Sequence, residues 1–267
     1  MKCVTPCEVK VNDRIESVPC GICFACAQTR RSHWSSRLYV EWQHSKYSYF
    51  YTLTYADENL TFVDDIPVLL KSDVQKFLKR LRKRFNHFRI RYFLCGEYGG
   101  LTRRPHYHIL LFSTKKLEYE DVRDTWQLGN VKCGNVTMKS IMYCAKYSIV
   151  DPLERKFYEM YDGAVSPPFC LMSRRPGIGY QYLKDGVMEE WHNQDLLNRT
   201  FVMIDGQKRS IPRFYRDKIY SAEDKERIRE SYKLIKESVK RQVSYRNEIL
   251  FIKRKQAEYI NLKKSVL

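Results

Sequence analysis

The residues best suited to chemistry are His106 and His108, two apart in HYHILLF (106–112), a run that reads as a β-strand. Strand side chains alternate, so both imidazoles face one way and Tyr107 the other. Two nitrogen donors on one rigid element begin a metal site; the competing reading is two unrelated polar positions on an exposed strand face. Glu97 lies just past a second strand-like run, RIRYFLC (89–95), joined to the first by the Gly-rich basic turn GEYGGLTRRP. A hairpin of these runs brings Glu97 toward the histidine face. Two histidines and a carboxylate make a facial set with open positions, suited to Mn²⁺ or Mg²⁺ without strictly excluding Fe²⁺ or Zn²⁺.

Tyr143, Lys146 and Tyr147 form a second group. On a helix, positions i, i+3 and i+4 share one face, which here would carry two phenols and an ammonium. The alternative is ordinary amphipathic packing with wet hydroxyls. Combined with the metal set, the group describes phosphoryl transfer. The cation polarises a phosphate, a tyrosine attacks, and Lys146 stabilises charge on phosphate or phenolate. No G-x-x-x-x-G-K-[ST] loop is present. A transesterification that keeps its ester energy in a covalent link needs none.

The elements that must position these groups are legible in part. YSYFYTLTY (47–55) reads as a strand. Residues 69–88 read as an amphipathic helix, with Val74, Phe77, Leu78, Leu81 and Phe85 on one side, basic residues on the others and Ser72 as N-cap. A short helix is expected over 119–126, short strands and turns over 129–136, and a helix over 139–150 that stops before Asp151-Pro152. Beyond 150 the pattern weakens into loops at Pro167-Pro168 and SRRPGIGY (173–180). From Ser221 one or two long helices follow, with 13 Lys/Arg against 7 Asp/Glu.

The 267-residue chain carries a net charge of +17, which favours a polyanionic partner, nucleic acid before acidic membranes. No apolar run approaches a membrane span and no signal-peptide core is visible, so the expected location is the cytoplasm. There the nine cysteines are thiols or metal ligands rather than disulfides. Cys20, Cys23 and Cys26, with Cys3 or its rival Cys7 upstream, make up four thiolates for a structural zinc. An iron–sulfur cluster or unmetallated cysteines are the other readings. The helix near 71–88 and the Arg103-Arg104 pair are the candidates for gripping DNA phosphates.

FYTLTY (50–55), CGEYG (95–99), RPHYHILLF (104–112) and YCAKY (143–147) resemble, in that order, the motifs of HUH replication initiators. Paired tyrosines resemble the bacteriophage gene A type. The layout is similar to the initiators of the Microviridae, of the gokushovirus VP4 type, with PCGICFAC (19–26), SRRPGIG (173–179) and IPRFYRDK (211–218) as supporting pieces. The resemblance implies an α+β HUH endonuclease fold, an antiparallel central sheet of about five strands flanked by helices. It implies that His106, His108 and Glu97 are metal ligands and that Tyr143 and Tyr147 are alternating nucleophiles. Tyr107 stands where a bulky aliphatic residue is commoner, and its apolar body predicts little harm. The implied organisation is a Cys-rich segment (1–34), an endonuclease domain (35–220) and a basic helical tail (221–267). The implied role is nicking at a phage origin to start rolling-circle replication in the host bacterial cytoplasm. Its partners would be single-stranded origin DNA, replicative-form DNA, and a host helicase and polymerase. An HUH relaxase or transposase, and a non-catalytic zinc-containing nucleic-acid-binding protein, are the alternatives.

Overall fold

The computed structural model describes residues 3–11, 14–149, 157–239 and 245–264. In chain order the elements are β1 (Cys7–Val11), β2 (Arg14–Val18), α1 (Phe24–Gln43), β3 (Tyr47–Thr54), β4 (Phe62–Val63), β5 (Ile66–Pro67), α2 (Lys71–Arg84), β6 (Ile90–Tyr98) and β7 (Pro105–Ser113). There follow α3 (Tyr119–Trp126), β8 (Val131–Gly134), α4 (Met138–Lys146), β9 (Phe169–Met172), α5 (Val187–Gln194), β10 (Phe201–Ile204), β11 (Gln207–Ser210), α6 (Arg213–Ile219), α7 (Ala222–Val239) and α8 (Tyr245–Lys264). Contacts divide the chain into two units: residues 37–180, and residues 1–36 with 181–267.

The first unit is an α+β layer structure around a five-stranded antiparallel sheet in the order β8-β3-β7-β6-β9. β7 is central and pairs along its whole length with β3 and β6, setting His106 opposite Thr54 and Glu97, and His108 opposite Thr52 and Cys95. Alternation then sorts the strands. Tyr51, Leu53, Leu94, Tyr107, Ile109 and Leu111 form one buried face, covered by Val74, Phe77, Leu78 and Leu81 of α2 and by Val122 and Trp126 of α3. Glu97, His106, His108 and Thr52 share the opposite face, against which α4 packs.

Tyr107 is completely buried, and its hydroxyl has partners. It accepts the Leu70 N–H at 2.9 Å and lies 2.8 Å from the Tyr55 hydroxyl, which donates to Asp73 Oδ2 at 2.8 Å. The α2 N-terminus is thus held by a tyrosine from the sheet. The expected Ser72 cap is a correction: Leu70 occupies the cap position, and Ser72 falls inside the first turn. The Tyr107 ring lies over Gly96, its register partner, where an added Cβ would come within 3.1 Å of the ring. Gly129 serves a different close approach: a Cβ there would lie 2.3 Å from Thr54 O, where the loop into β8 crosses the end of β3.

Helix α2 ends at Arg84, short of the expected residue 88, and α4 ends at Lys146 with Tyr147 as its C-cap. The expected helix stop before Asp151-Pro152 lies outside the described residues. In the second unit, β1 pairs only with β2 and β10 only with β11. Among the described residues no helix is long and apolar enough to cross a membrane.

Candidate active site

β6 and β7 deliver three ligand atoms to one point. Glu97 Oε1 lies 3.1 Å from His106 Nε2 and 2.8 Å from His108 Nε2. His106 Nδ1 is 3.1 Å from the Arg104 carbonyl. A carbonyl can only accept, so Nδ1 carries the hydrogen, and the Nε2 of a neutral His106 presents its lone pair to Glu97. His108 Nδ1 is 3.0 Å from Thr52 Oγ1, while its buried Nε2 has no hydrogen-bond partner despite the nearby carboxylate oxygen. Two imidazole lone pairs directed at one carboxylate repel unless a cation sits among them, whether protons on the rings or a metal ion. Burial, the mixed N/O donors and the orphaned Nε2 fit a divalent cation.

The electrostatics agree with that need for positive charge. Burial opposes ionisation of Glu97, but the hydrogen bonds of His106, His108 and Tyr143 override it and hold the carboxyl down to about 2. Burial likewise opposes the charged form of His106, yet the Glu97 and Arg104 hydrogen bonds and the Glu97 charge raise its pKa above 6.5.

α4 brings the tyrosines to the same face. The Tyr143 hydroxyl donates to Glu97 Oε1 at 2.5 Å, and its ring meets His108 edge-on at 5.0 Å. Tyr147 donates to the Tyr143 hydroxyl at 3.3 Å, so the two phenols are adjacent although Tyr147 has left the regular helix. Tyr143 remains partly open, 39% exposed. Burial, then the Glu97 hydrogen bond and charge, push its pKa well up, so in this arrangement it is a neutral phenol. Lys146 is exposed and places Nζ 5.3 Å from the centre of the Tyr147 ring, beside the phenols rather than over the ligand group.

Arg103 and Arg104 do not reach this centre. Arg104 pairs with Asp57 at 2.6 Å and donates to the Tyr55 carbonyl at 2.7 Å. Arg103 stacks its guanidinium over Phe157 at 4.5 Å and Tyr98 at 5.7 Å. Both ends of this turn are therefore spent on intramolecular contacts, which corrects the expectation that they stand free for phosphate. Thr52 is the site residue that sequence reasoning passed over. Its signal was the T-x-T alternation in FYTLTY, which puts Thr52 and Thr54 on one strand face, but only the β3–β7 register sets Thr52 beside His108.

The stretch that carries this site, residues 48–150, matches the family model of the ORF2-type replication-associated proteins. The chain is 30% identical over 221 residues to the replication-associated protein VP4 of Bdellovibrio phage phiMH2K, covering 74% of this chain and 66% of that one. It is 29% identical over 225 residues to the replication-associated protein ORF2 of Spiroplasma virus 4, covering 77% and 67%. A third relative, the replication-associated protein ORF4 of Chlamydia phage 1, is 23% identical over 255 residues, covering 85% and 60%. The chain thus spans about two thirds of the length of the first two curated relatives. Among solved structures, the hypothetical protein ORF119 from Sulfolobus islandicus rod-shaped virus 1 aligns with 42% of this chain and 87% of its own at 23% identity. Its TM-score of 0.29 is too low to bear on the fold. The relatives and the family match agree with the motif order, and the chain belongs to the replication-associated proteins of Microviridae-like phages.

Proposed function

We propose that this protein is a metal-dependent HUH endonuclease that nicks single-stranded origin DNA through a tyrosine nucleophile and so primes rolling-circle replication. The observation that carries the reading is the Tyr143 hydroxyl, 2.5 Å from the oxygen on which His106 and His108 also converge. A nucleophile at a two-histidine, one-carboxylate centre suits phosphodiester transfer.

Glu97, His106 and His108 would hold Mn²⁺ or Mg²⁺, which when bound supplies Lewis-acid polarisation of a phosphate. The Tyr143 oxygen attacks phosphorus, forming a phosphotyrosine bond to the 5′ side. The bond from phosphorus to the 3′ oxygen breaks, and in balance the phenol proton ends on that oxygen as a free 3′-OH. One phosphodiester replaces another, so the link can be resealed without ATP. Tyr147, within 3.3 Å of Tyr143, can address the same position in a second round. Lys146 adds positive charge beside the phenols. The +17 net charge draws in the DNA, and a host helicase and polymerase would continue from the 3′-OH.

The test is cleavage of labelled single-stranded origin DNA with Mn²⁺, followed by a denaturing protein gel. Label that stays with the protein through boiling, persists in Tyr143→Phe or Tyr147→Phe alone, and disappears in the double variant is the expected result. Folded protein that gives neither adduct nor nick on a verified origin would overturn the reading.

A further inference from the structure

The N-terminal cysteines are not used by the chemistry above, yet they converge as tightly as the ligand group does. The Sγ atoms of Cys3, Cys20, Cys23 and Cys26 all lie within 4.8 Å of one another. Cys3 Sγ is 3.4 Å from Cys20 Sγ and 3.7 Å from Cys23 Sγ. A disulfide would need about 2.05 Å. Four sulfurs at about 2.3 Å from a tetrahedral zinc stand about 3.8 Å apart, close to the spacing seen.

The surroundings point to charged sulfurs. Cys20 N–H donates to Cys3 Sγ at 3.3 Å, and Cys23 N–H to Cys20 Sγ at 3.4 Å. The Thr5 hydroxyl also donates to Cys20 Sγ, at 3.4 Å. Donors directed at sulfur favour thiolates, and thiolates at this spacing need a cation among them.

The local fold needs one as well. β1 and β2 form an isolated two-stranded hairpin between Cys3 and Cys20, and residues 5–10 are exposed. A lone hairpin is marginal without something to pack on. The buried cluster beside it consists of Cys23, Ala25 and Cys26, flanked by Cys3, Val4 and Cys20, so the cysteines are most of its substance. Cys23 lies just before α1 and Cys26 in its first turn, which makes the cluster the joint between hairpin and helix.

We propose that Cys3, Cys20, Cys23 and Cys26 bind a structural Zn²⁺ that fastens the N-terminal hairpin to the start of α1. Cys7, the rival for the first position, is exposed at the start of β1 and is not in the group. Four thiolates fill a tetrahedron and leave no position for water, so the ion is structural. This proposal is independent of the endonuclease reading, because it involves none of its residues.

The experiment uses the full-length chain carrying His106→Ala/His108→Ala, so that the other ligand group cannot contribute metal. Bound metal is counted by mass spectrometry, and the apo protein is titrated with Co²⁺. We expect about one zinc per chain and the intense near-ultraviolet thiolate-to-cobalt band. Both should be lost in Cys20→Ser and Cys26→Ser but kept in Cys7→Ser. Stripping zinc from the unmutated cysteine cluster should speed proteolysis within residues 5–18, which reports on the hairpin without relying on variants that fail to fold. Absence of zinc and of the cobalt band in reduced, folded protein would overturn the proposal. So would stoichiometric iron with acid-labile sulfide, or equal loss of the ion in Cys7→Ser.

Discussion

The Tyr143 hydroxyl and the Glu97 carboxylate share a 2.5 Å hydrogen bond, made to the same oxygen that both histidines approach. In the metal-free protein the phenol and the imidazoles thus compete for the charge a cation would otherwise neutralise. Metal binding must displace the proton that Glu97 helps His106 to retain.

This sets a pH dependence. With its pKa raised above 6.5, His106 stabilises the metal-free fold below its unfolded value and loses that contribution as pH rises through the folded one. Glu97, held at about 2, stabilises above its unfolded value near 4.5 and loses the contribution only as pH falls toward 2. Raising the pH above 6.5 should therefore weaken the metal-free pair and strengthen metal binding together. The rise in Tm on adding Mn²⁺ should grow between about pH 6 and 8. A gap that shrinks over this range would contradict the ligand assignment.

Thr52 should matter to the metal without touching it. Its Oγ1 faces His108 Nδ1 at 3.0 Å, which fixes the ring with Nε2 toward Glu97. Thr52→Val should weaken Mn²⁺ binding about 10-fold or more while leaving metal-free stability nearly unchanged, and Thr52→Ser should restore binding. Titration calorimetry on the three proteins distinguishes this from general unfolding, which would lower Tm in parallel.

The Tyr107 hydroxyl is a test of the fold alone. Tyr107→Phe leaves the Leu70 N–H without its partner and should cost about 1–3 kcal/mol in urea unfolding. Gly96→Ala pushes a Cβ to 3.1 Å from the Tyr107 ring and should destabilise by a similar amount, about 1–3 kcal/mol, through overpacking. Neither change should alter Mn²⁺ affinity at temperatures where the variants stay folded; a marked loss would mean that this face of the sheet also shapes the metal site.

These residues also mark what could be read from sequence. Strand alternation is local, so the common face of His106 and His108 was legible, and so was the opposite direction of Tyr107. The use of the Tyr107 hydroxyl was not, because Leu70 and Tyr55 meet it only through the tertiary fold, and its apolar body alone suggested an inert substitution. The same holds for Ser72, where cap chemistry was inferred from residue type while a sheet tyrosine had taken over the work. β9 escaped notice because four residues behind Pro167-Pro168 carry little periodicity, and only pairing with β6 defines them. α1 escaped because its polar and apolar residues are mixed around the helix.

SRRPGIG was noticed as a motif without a physical role, and the structure supplies one. Arg91, on β6, forms a buried ion pair with Glu41 of α1. It also donates to the Pro176 carbonyl at 2.9 Å and the Gly177 carbonyl at 3.0 Å, while Gly179 N–H donates to Glu41 Oε2 at 2.7 Å. The pair therefore clips the 173–179 loop by its backbone, and a side-chain motif would not reveal this. Removing one partner leaves a buried charge uncompensated, so Glu41→Ala should cost about 3–5 kcal/mol. It should also expose the bonds after Arg174 and Arg175 to trypsin. Replacing both partners, as in Glu41→Leu/Arg91→Met, removes the stranded charge and should recover part of the stability but not the trypsin resistance, because the loop carbonyls lose their donors. Urea midpoints and digestion rates on the single and double variants separate the two effects. A Glu41→Ala protein within about 1 kcal/mol of the parent and equally resistant to trypsin would show that the loop is held by other contacts.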